Sequence, residues 1–281
     1  MADASSTLPP YLEADIAEAA RLLYRARYAI ALTGAGLSKE SGIPTFRGEG
    51  GLWTRNGEPP MNAYERFLMD PAAWWRERLD ETGQKNNELA VAIAQARPNP
   101  GHLALVELER AGYLRCTITQ NIDNLHVVAG NERLLEIHGN RTLLRCIECD
   151  ARYRPEMVPT EELPPRCDRC GGIVKSDTVM FGEPIPRRVL RACFLEAERA
   201  DLMLVIGTTA LVSPAADLPA VVYRRGGVLI EVNVEPTVLT PYCAVSLRGP
   251  AGTLLPQLVE AVAEQAGREP QFRGVGLDTR L

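Results

Sequence analysis

Four cysteines form the strongest chemical pattern in this sequence. Cys146 and Cys149 make one C-x2-C pair, and Cys167 and Cys170 make a second pair after an interval of 17 residues. Two such pairs at this spacing are typical of a tetrahedral Zn²⁺ site, and four unrelated thiols are the weaker interpretation. Because four thiolates leave no open coordination position, we expect a structural zinc ion and no zinc-dependent hydrolysis.

A glycine turn follows a short apolar run near the N-terminus. Residues 28–33 have the length of a strand, and Gly34 and Gly36 come directly after it, before a serine-containing segment that could begin a helix. Glycines let a phosphate approach the backbone, and free amides of a first helical turn can bind it. An ordinary strand–turn–helix would also contain glycines. The next glycine is Gly42, so the G-x-G-x-x-G fingerprint of dehydrogenases is absent.

Polar residues with catalytic potential follow two other apolar runs. His138 comes after residues 134–137, and Asn121 and Asp123 come after residues 115–119. Histidine can act as a general base near neutral pH, although a histidine at a strand end is as often structural. For His102, which follows a proline–glycine pair, the sequence predicts a place in the first turn of a helix rather than a ligand role.

Strand and helix patterns alternate along most of the chain. Apolar residues at helical spacing predict a helix over residues 13–27, and short apolar runs predict strands at residues 28–33, 115–119, 134–137, 201–206, 227–233 and 244–247. This alternation predicts an α/β fold with a doubly wound parallel sheet. Ligands of such sheets bind beyond the carboxyl ends of the strands, so the polar residues there should converge on one crevice.

The composition is that of a globular protein. The chain has 281 residues, of which 24% are charged, and its formal net charge is −5, so we expect no direct binding to nucleic acid. No apolar run is long enough to span a bilayer, and residues 1–10 do not resemble a secretory signal. Seven cysteines suit a reducing compartment, and the cytoplasm is therefore expected. Three of them are predicted to be buried small hydrophobes: Cys116, Cys193 and Cys243.

Several separate motifs resemble those of the sirtuins, the NAD-dependent protein-lysine deacylases. The first is Gly34-Ala35-Gly36-x-Ser38-x-x-Ser41-Gly42-Ile43-Pro44-x-Phe46-Arg47. The others follow in the family's order: Gln120-Asn121-x-Asp123-x-Leu125-His126, His138-Gly139, Val179-Met180-Phe181-Gly182-Glu183, Gly207-Thr208-Thr209, Val232-Asn233-x-Glu235 and Gly249-Pro250-Ala251-Gly252. Thr209 stands where most members have serine and keeps the hydroxyl. The resemblance covers about residues 12–262.

This resemblance implies an NAD site, an acyl-lysine site and a catalytic base. NAD would lie across the crevice with its diphosphate over the glycine turn and its nicotinamide held by Asn121 and Asp123. The implied catalytic residues are His138, Asn121 and Asp123. The implied cofactor-binding residues are Gly34, Ala35, Gly36, Ser38, Thr45, Phe46, Arg47, Trp53, Gln120, Asn121, Ile122, Asp123, His138, Gly207, Thr208, Thr209, Asn233, Glu235 and Ala251. The implied acyl-lysine residues are Val179, Met180, Phe181, Gly182 and Glu183.

The activity implied by the resemblance is NAD-dependent protein-lysine deacetylation. An acyl-lysine protein or peptide would enter as an added strand near residues 179–182 and 211–213. His138 would act as general base, and the products would be nicotinamide, free lysine and O-acetyl-ADP-ribose. Two other readings stay open: mono-ADP-ribosyl transfer from the same site, and a non-catalytic NAD-binding module. The second is disfavoured because a binding module needs no base.

The acyl preference should depend on a helical insert. Sirtuins that prefer succinyl- or malonyl-lysine carry Tyr-x-x-Arg in this insert, whereas this chain has Trp75-x-x-Arg78. We therefore expect an acetyl or another uncharged acyl group. The sequence leaves the oligomeric state open.

Two domains are expected. A Rossmann-like NAD-binding domain would comprise residues 11–47, 98–140 and 186–266. A smaller domain would combine a flexible cofactor loop and helical insert, residues 48–97, with a zinc-binding module, residues 141–185. The glycines of residues 48–53 suit either a lid or a plain flexible loop. Residues 1–10 and 267–281 are expected to be flexible tails.

Overall fold

The computed structural model describes residues 9–48, 50–80 and 88–268. Most of the two expected tails, Glu49 of the cofactor loop and residues 81–87 of the helical insert lie outside the described residues.

A six-stranded parallel sheet forms the centre of the larger domain. Numbered along the chain together with a smaller sheet, its strands are β1 (Ala29–Thr33), β2 (Cys116–Thr119), β3 (Leu134–Glu136), β7 (Leu202–Ile206), β8 (Val228–Asn233) and β9 (Val245–Arg248). They lie in the order β3-β2-β1-β7-β8-β9, and each neighbouring pair is parallel. This is the order of a Rossmann sheet, whose ligand crevice lies where the order reverses, between β1 and β7. The predicted fold class is confirmed.

Helices cover both faces of this sheet. One face packs against α1 (Pro10–Arg25), α7 (Pro100–Arg110) and α11 (Ala251–Arg268), and the other packs against α9 (Arg187–Arg199) and α10 (Leu218–Arg224). The sequence of strand β1 is almost entirely apolar because the strand is buried on both faces of the sheet. Ala29 and Ala31 belong to the first core, whereas Ile30 and Leu32 belong to the second, so alternate side chains of one strand are buried on opposite faces.

The remaining described helices are short. They are α2 (Ala35–Ser38), α3 (Leu52–Asn56), α4 (Ala63–Met69), α5 (Pro71–Leu79), α6 (Glu88–Gln95) and α8 (Leu125–Ala129). Helix α5 begins as its sequence predicts, because the Asp70 carboxylate accepts a hydrogen bond from the Ala73 amide at 2.8 Å and Pro71 occupies the first turn. None of the described helices combines the length and the apolar character needed to cross a membrane.

The two C-x2-C pairs lie in and beside a second, smaller sheet. Its antiparallel strands are β4 (Leu144–Cys146), β5 (Arg152–Tyr153) and β6 (Val174–Ser176), in the order β5-β4-β6. Trp75 of helix α5 is 3% exposed and packs in the core of this sheet. Its indole N–H donates to the Val174 carbonyl at 2.8 Å. The helical insert and the cysteine-bearing segment therefore share one core, which neither is large enough to form alone.

Candidate active site

The ends of β1 and β7 meet at glycines. The Gly34 amide donates to the Ile206 carbonyl at 2.9 Å, and the Gly36 amide donates to the Gly207 carbonyl at 2.8 Å. A Cβ on Gly36 would lie 2.7 Å from the Cα of Gly207, so only glycine permits this approach. The sequence suggested free amides at this turn as phosphate donors. The amides of Gly34 and Gly36 are engaged within the protein, so the donors would be other amides of the first helical turn, and the phosphate site stays a prediction.

The loop after β2 is fixed against helix α2. The side-chain amide of Asn121 donates to the Gly34 carbonyl at 3.0 Å and to the Ser38 hydroxyl at 3.1 Å. That hydroxyl donates to the Asp123 carboxylate at 2.6 Å, which also accepts from the Leu125 amide at 2.9 Å. All three polar side chains are buried, and each of the hydrogen bonds restricts the rotamer of the next. Asn121 is thereby held in one orientation.

Two further side chains tie the strand ends together. The Gln120 side-chain amide donates to the Thr208 hydroxyl at 2.9 Å, and the Asn233 side-chain amide donates to the Thr208 carbonyl at 3.0 Å. The loops that follow β2, β7 and β8 are therefore connected by hydrogen bonds. Residues far apart in the sequence converge at one edge of the sheet, as their positions after parallel strands predict.

His138 follows β3 on a sharp turn. Gly139 has a φ of 75°, and a Cβ there would lie 2.1 Å from the Asp177 carbonyl oxygen, so the turn requires glycine. The His138 carbonyl accepts a hydrogen bond from the Val179 amide at 2.9 Å, which joins the histidine to the predicted substrate loop. Burial lowers the pKa of His138 to about 4, because the charged imidazolium is poorly solvated there. The imidazole is therefore neutral near pH 7 and can accept a proton.

One cavity of about 810 Å³ unites these elements. Every predicted cofactor and substrate residue lines it except Ser38 and Asp123, which lie behind Asn121. The cavity also includes residues that motif reasoning did not single out as cofactor ligands, such as Lys39, Met61, Leu89 and Thr237. No local pattern distinguishes these residues, because their place depends on how distant segments pack.

Aromatic side chains form one wall of the cavity. The ring centroids of Phe46 and Trp53 are 4.8 Å apart, and those of Trp53 and Phe181 are 5.4 Å apart. The Arg47 guanidinium lies 4.6 Å from the Trp53 ring centroid and pairs with Glu58 at 2.8 Å. Backbone hydrogen bonds from Leu52 to Thr45 and from Trp53 to Phe46, both 2.8 Å, join the two ends of the predicted cofactor loop.

Glu183 is held by charged residues that the sequence analysis missed. Its carboxylate accepts from the Met180 amide at 2.9 Å and pairs with Lys175 at 2.8 Å and Arg145 at 2.5 Å. Lys175 is fully buried, and Arg145 is 4% exposed. The carboxylate therefore shapes the substrate loop from beneath. The sequence contained one signal for these buried charges, which was Lys175, a lysine between Val174 and Ser176 inside strand β6.

The four predicted zinc ligands come together. The sulfur atoms of Cys146, Cys149, Cys167 and Cys170 all lie within 4.8 Å of one another. Tetrahedral zinc with Zn–S bonds of about 2.3 Å would place its sulfurs about 3.8 Å apart, so the donor set fits one structural zinc ion. Of the other cysteines, Cys116 and Cys193 are buried as predicted, whereas Cys243 is only half-buried.

Comparison with known proteins identifies the family. The sequence model of the Sir2 family matches residues 34–214. An NAD-dependent protein deacylase of Thermococcus kodakarensis is 45% identical over an alignment of 261 positions, and the match covers 89% of this chain and 96% of that protein. An NAD-dependent protein deacylase of Pyrococcus abyssi is 44% identical over 88% of this chain and 98% of that protein.

Solved structures agree with this match. A Sir2 homologue in complex with NAD has a TM-score of 0.72 and 40% identity, covering 88% of this chain and 94% of that chain. A complex described as Sir2, p53 peptide and NAD+ has a TM-score of 0.69 and 32% identity, covering 90% of this chain and 98% of that chain. The chain belongs to the Sir2 family, the sirtuins.

Proposed function

We propose that this protein is an NAD-dependent protein-lysine deacylase. The observation that carries the proposal is the single cavity that joins the glycine turn, the oriented Asn121 amide and the neutral imidazole of His138. The Thermococcus and Pyrococcus relatives, which bear the name of this activity, support it. The products would be nicotinamide, free lysine and O-acyl-ADP-ribose.

NAD would lie along the carboxyl ends of β1, β7 and β8. When bound, it supplies a ribose carbon that becomes electrophilic as nicotinamide leaves. Asn121 donates its N–H groups to Gly34 and Ser38, which leaves its side-chain oxygen to bind the nicotinamide amide. Asp123 acts through Ser38 and the Leu125 amide, so we assign it a positioning role rather than direct contact with the nicotinamide.

His138 would be the general base. Its neutral imidazole would accept a proton from a ribose hydroxyl after the acyl oxygen has attacked the ribose carbon. No nucleophilic side chain of the protein is needed for this reaction. Phe46 and Trp53 would exclude water from the reacting atoms, since they form the adjoining wall of the cavity.

An acyl-lysine peptide would bind between the two predicted domains. The amides of Val179 and Met180 already donate to His138 and Glu183, so a peptide strand would pair with other backbone groups of residues 179–182 and with residues 212–213, which line the same cavity. The solved complex of a Sir2 protein with a p53 peptide supports a peptide substrate.

The acyl group would be uncharged. Trp75, in the place of the expected tyrosine, is buried in the core of the small sheet, and neither Arg76 nor Arg78 lines the cavity. The Arg78 guanidinium instead lies 5.4 Å from the Trp74 ring centroid. Apolar residues such as Ile122 and Ile185 line the cavity together with His138. We therefore propose acetyl-lysine as the preferred substrate.

The division into domains and the compartment are also proposals. The separate cores of the large and small sheets support the boundaries that the sequence predicts. The seven cysteines, none of which forms a disulfide, support a reducing compartment, the cytoplasm.

The decisive experiment is mass spectrometry of the products formed from NAD and one peptide that carries acetyl-, succinyl- or longer-chain lysine in parallel reactions. We expect loss of the acyl group with one O-acyl-ADP-ribose for each lysine released, fastest for the acetyl peptide. His138→Ala should retain NAD binding and lose turnover at least 100-fold, the lower range for a general base. Nicotinamide release with ADP-ribose attached to protein, and no peptide deacylated, would overturn the proposal in favour of ADP-ribosyl transfer.

A further inference from the structure

A carboxylate with no place in the proposed mechanism is buried beneath the cavity. Glu231 lies in the middle of β8 and is fully buried. It accepts hydrogen bonds from the Thr237 hydroxyl, from the Thr240 hydroxyl at 2.7 Å and from Arg248 at 2.5 Å. A buried charge is costly unless it is paired and fully hydrogen-bonded, and this arrangement satisfies both requirements.

The partners of Glu231 hold one particular loop. The chain leaves β8 at Asn233 and passes through residues 234–236, which are exposed and line the cavity, before it returns over Glu231 at Thr237 and Thr240. Within this return, the Thr237 amide donates to the Thr240 hydroxyl at 2.8 Å, and the Leu239 amide donates to the Thr237 hydroxyl at 3.1 Å. One carboxylate therefore fixes the far end of the loop through two threonines.

Arg248 connects the same carboxylate to the near end of the loop. Its Nη2 contacts Glu231, and its Nη1 donates to the backbone carbonyl of Glu235 at 2.9 Å. Arg248 is aligned with Asn233 in the pairing of β8 and β9, which places the guanidinium directly below the loop. Glu235 lines the cavity, and its backbone carbonyl is held by Arg248.

We propose that Glu231 and Arg248 are positioning residues for binding the adenosine half of NAD. They would act by holding the backbone of Glu235. The Val232-Asn233-x-Glu235 motif is similar to the sirtuin element that contacts the adenosine ribose, and this resemblance implies that the Glu235 carboxylate would accept hydrogen bonds from that ribose. This inference rests on the proposed NAD site. It predicts that the pair determines affinity for the cofactor and not the rate of the chemical step, because His138 and Asn121 belong to other strand ends.

The test compares three variants by calorimetric binding of ADP-ribose and by steady-state kinetics. Glu231→Gln removes the charge that Arg248 and both threonines require, and we expect the Kd of ADP-ribose and the KM of NAD to rise about tenfold, with kcat at saturating NAD within twofold of wild type. Arg248→Lys keeps a cation beside Glu231 but cannot bridge to Glu235, and it should raise the same two constants. Ser246→Ala is the matched control, because Ser246 contacts the same carboxylate at 3.4 Å without reaching the loop.

A double-mutant cycle with Glu235→Ala shows whether the pair acts through Glu235. Glu231→Gln should weaken ADP-ribose binding much less in the Glu235→Ala background than in wild type. Equal effects in both backgrounds, or an unchanged Kd in both single variants, would overturn the inference. If Glu231→Gln fails to fold, Arg248→Lys carries the test alone. Because ADP-ribose binding requires no turnover, a failed deacylation assay would refute the proposed function without affecting this result.

Discussion

At the scale of single residues, protonation of His138 determines whether it can act as a base. Burial holds its pKa near 4, below the ordinary value of 6.5, so the neutral form predominates at all pH values above about 5. We expect the His138 Cε1–H resonance to stay constant from pH 8 to pH 5.5 in NMR spectra of the free protein. The chain has only three histidines, and a His138→Gln variant identifies the resonance by its loss.

The same pKa sets the pH dependence of activity. The base is lost only on protonation, so kcat/KM should show no acid limb between pH 7 and pH 5.5, because this ratio reports ionisation of the free enzyme. An NMR midpoint or an acid limb at pH 6 or above would show that His138 is more solvated than its burial indicates.

At the scale of elements, the meeting of the β1 and β7 ends depends on Gly207. Its φ is 58°, and a Cβ there would lie 2.4 Å from the Leu37 amide nitrogen. Because this nitrogen belongs to the backbone, relieving the clash would require a shift of the main chain. Gly226 is a matched control, because its φ is 82° but nothing lies within 4 Å of a Cβ placed there.

Gly226→Ala should therefore cost about 1 kcal/mol of unfolding free energy from backbone strain alone. Gly207→Ala should cost at least about 3 kcal/mol, since overpacking adds to the strain, and should weaken ADP-ribose binding. Urea denaturation and calorimetry measure the two effects. Similar losses of stability in both variants would show that the close approach of the two loops is not tightly constrained.

At the scale of the whole molecule, buried neutral histidines make the fold sensitive to acid. Burial lowers the pKa of His102 to about 3, and it also lowers the pKa of His126, whose ring centroid lies 5.1 Å from that of His102. In the unfolded chain each would titrate near 6.5. Below that pH the unfolded state binds protons that the folded state excludes, so the stability present above pH 6.5 is lost as pH falls.

Each such histidine should contribute about 1.4 kcal/mol per pH unit between its unfolded and folded pKa values. We expect the free energy of unfolding, measured by urea denaturation at pH 5.0, 5.5 and 6.0, to fall steeply with acidification. A His102→Gln variant should show a slope about 1.4 kcal/mol per pH unit shallower than wild type. Identical slopes in the two proteins would mean that His102 becomes protonated in the folded state.

Much of the fold and many of the site residues could be predicted because the relevant signals are local. The C-x2-C pairs mark the zinc ligands, and the apolar run of β1 is long and continuous because that strand is buried on both faces. Polar residues after parallel strands must lie at one edge of the sheet, so Asn121, His138 and Asn233 could be assigned to one crevice before any contact was known.

Other features depend on contacts between distant parts of the chain. The order of the strands places β1 beside β7, and next to this pair the Tyr28 amide donates to the Asp201 carboxylate, which is 173 residues away along the chain. The same strand order decides that Gly36 meets Gly207. The motifs assigned Ser38, Asp123 and Asn121 alike to the cofactor site. In the structure, Ser38 and Asp123 lie behind Asn121 and do not line the cavity.

The sequence by itself determined the family, the zinc ligands and the strand ends that bear the candidate site, because these follow from residue types at short spacing. Only the tertiary structure decided which polar groups face the cavity and which form hydrogen bonds or ion pairs inside the protein. The amides of Gly34 and Gly36 are engaged by Ile206 and Gly207, on the other side of the strand reversal. The carboxylate of Glu183 is engaged by Arg145, 38 residues away, and that of Glu231 by Arg248, 17 residues away. A hydrogen bond is set by the position of both partners, and the sequence pattern around one partner does not specify the other.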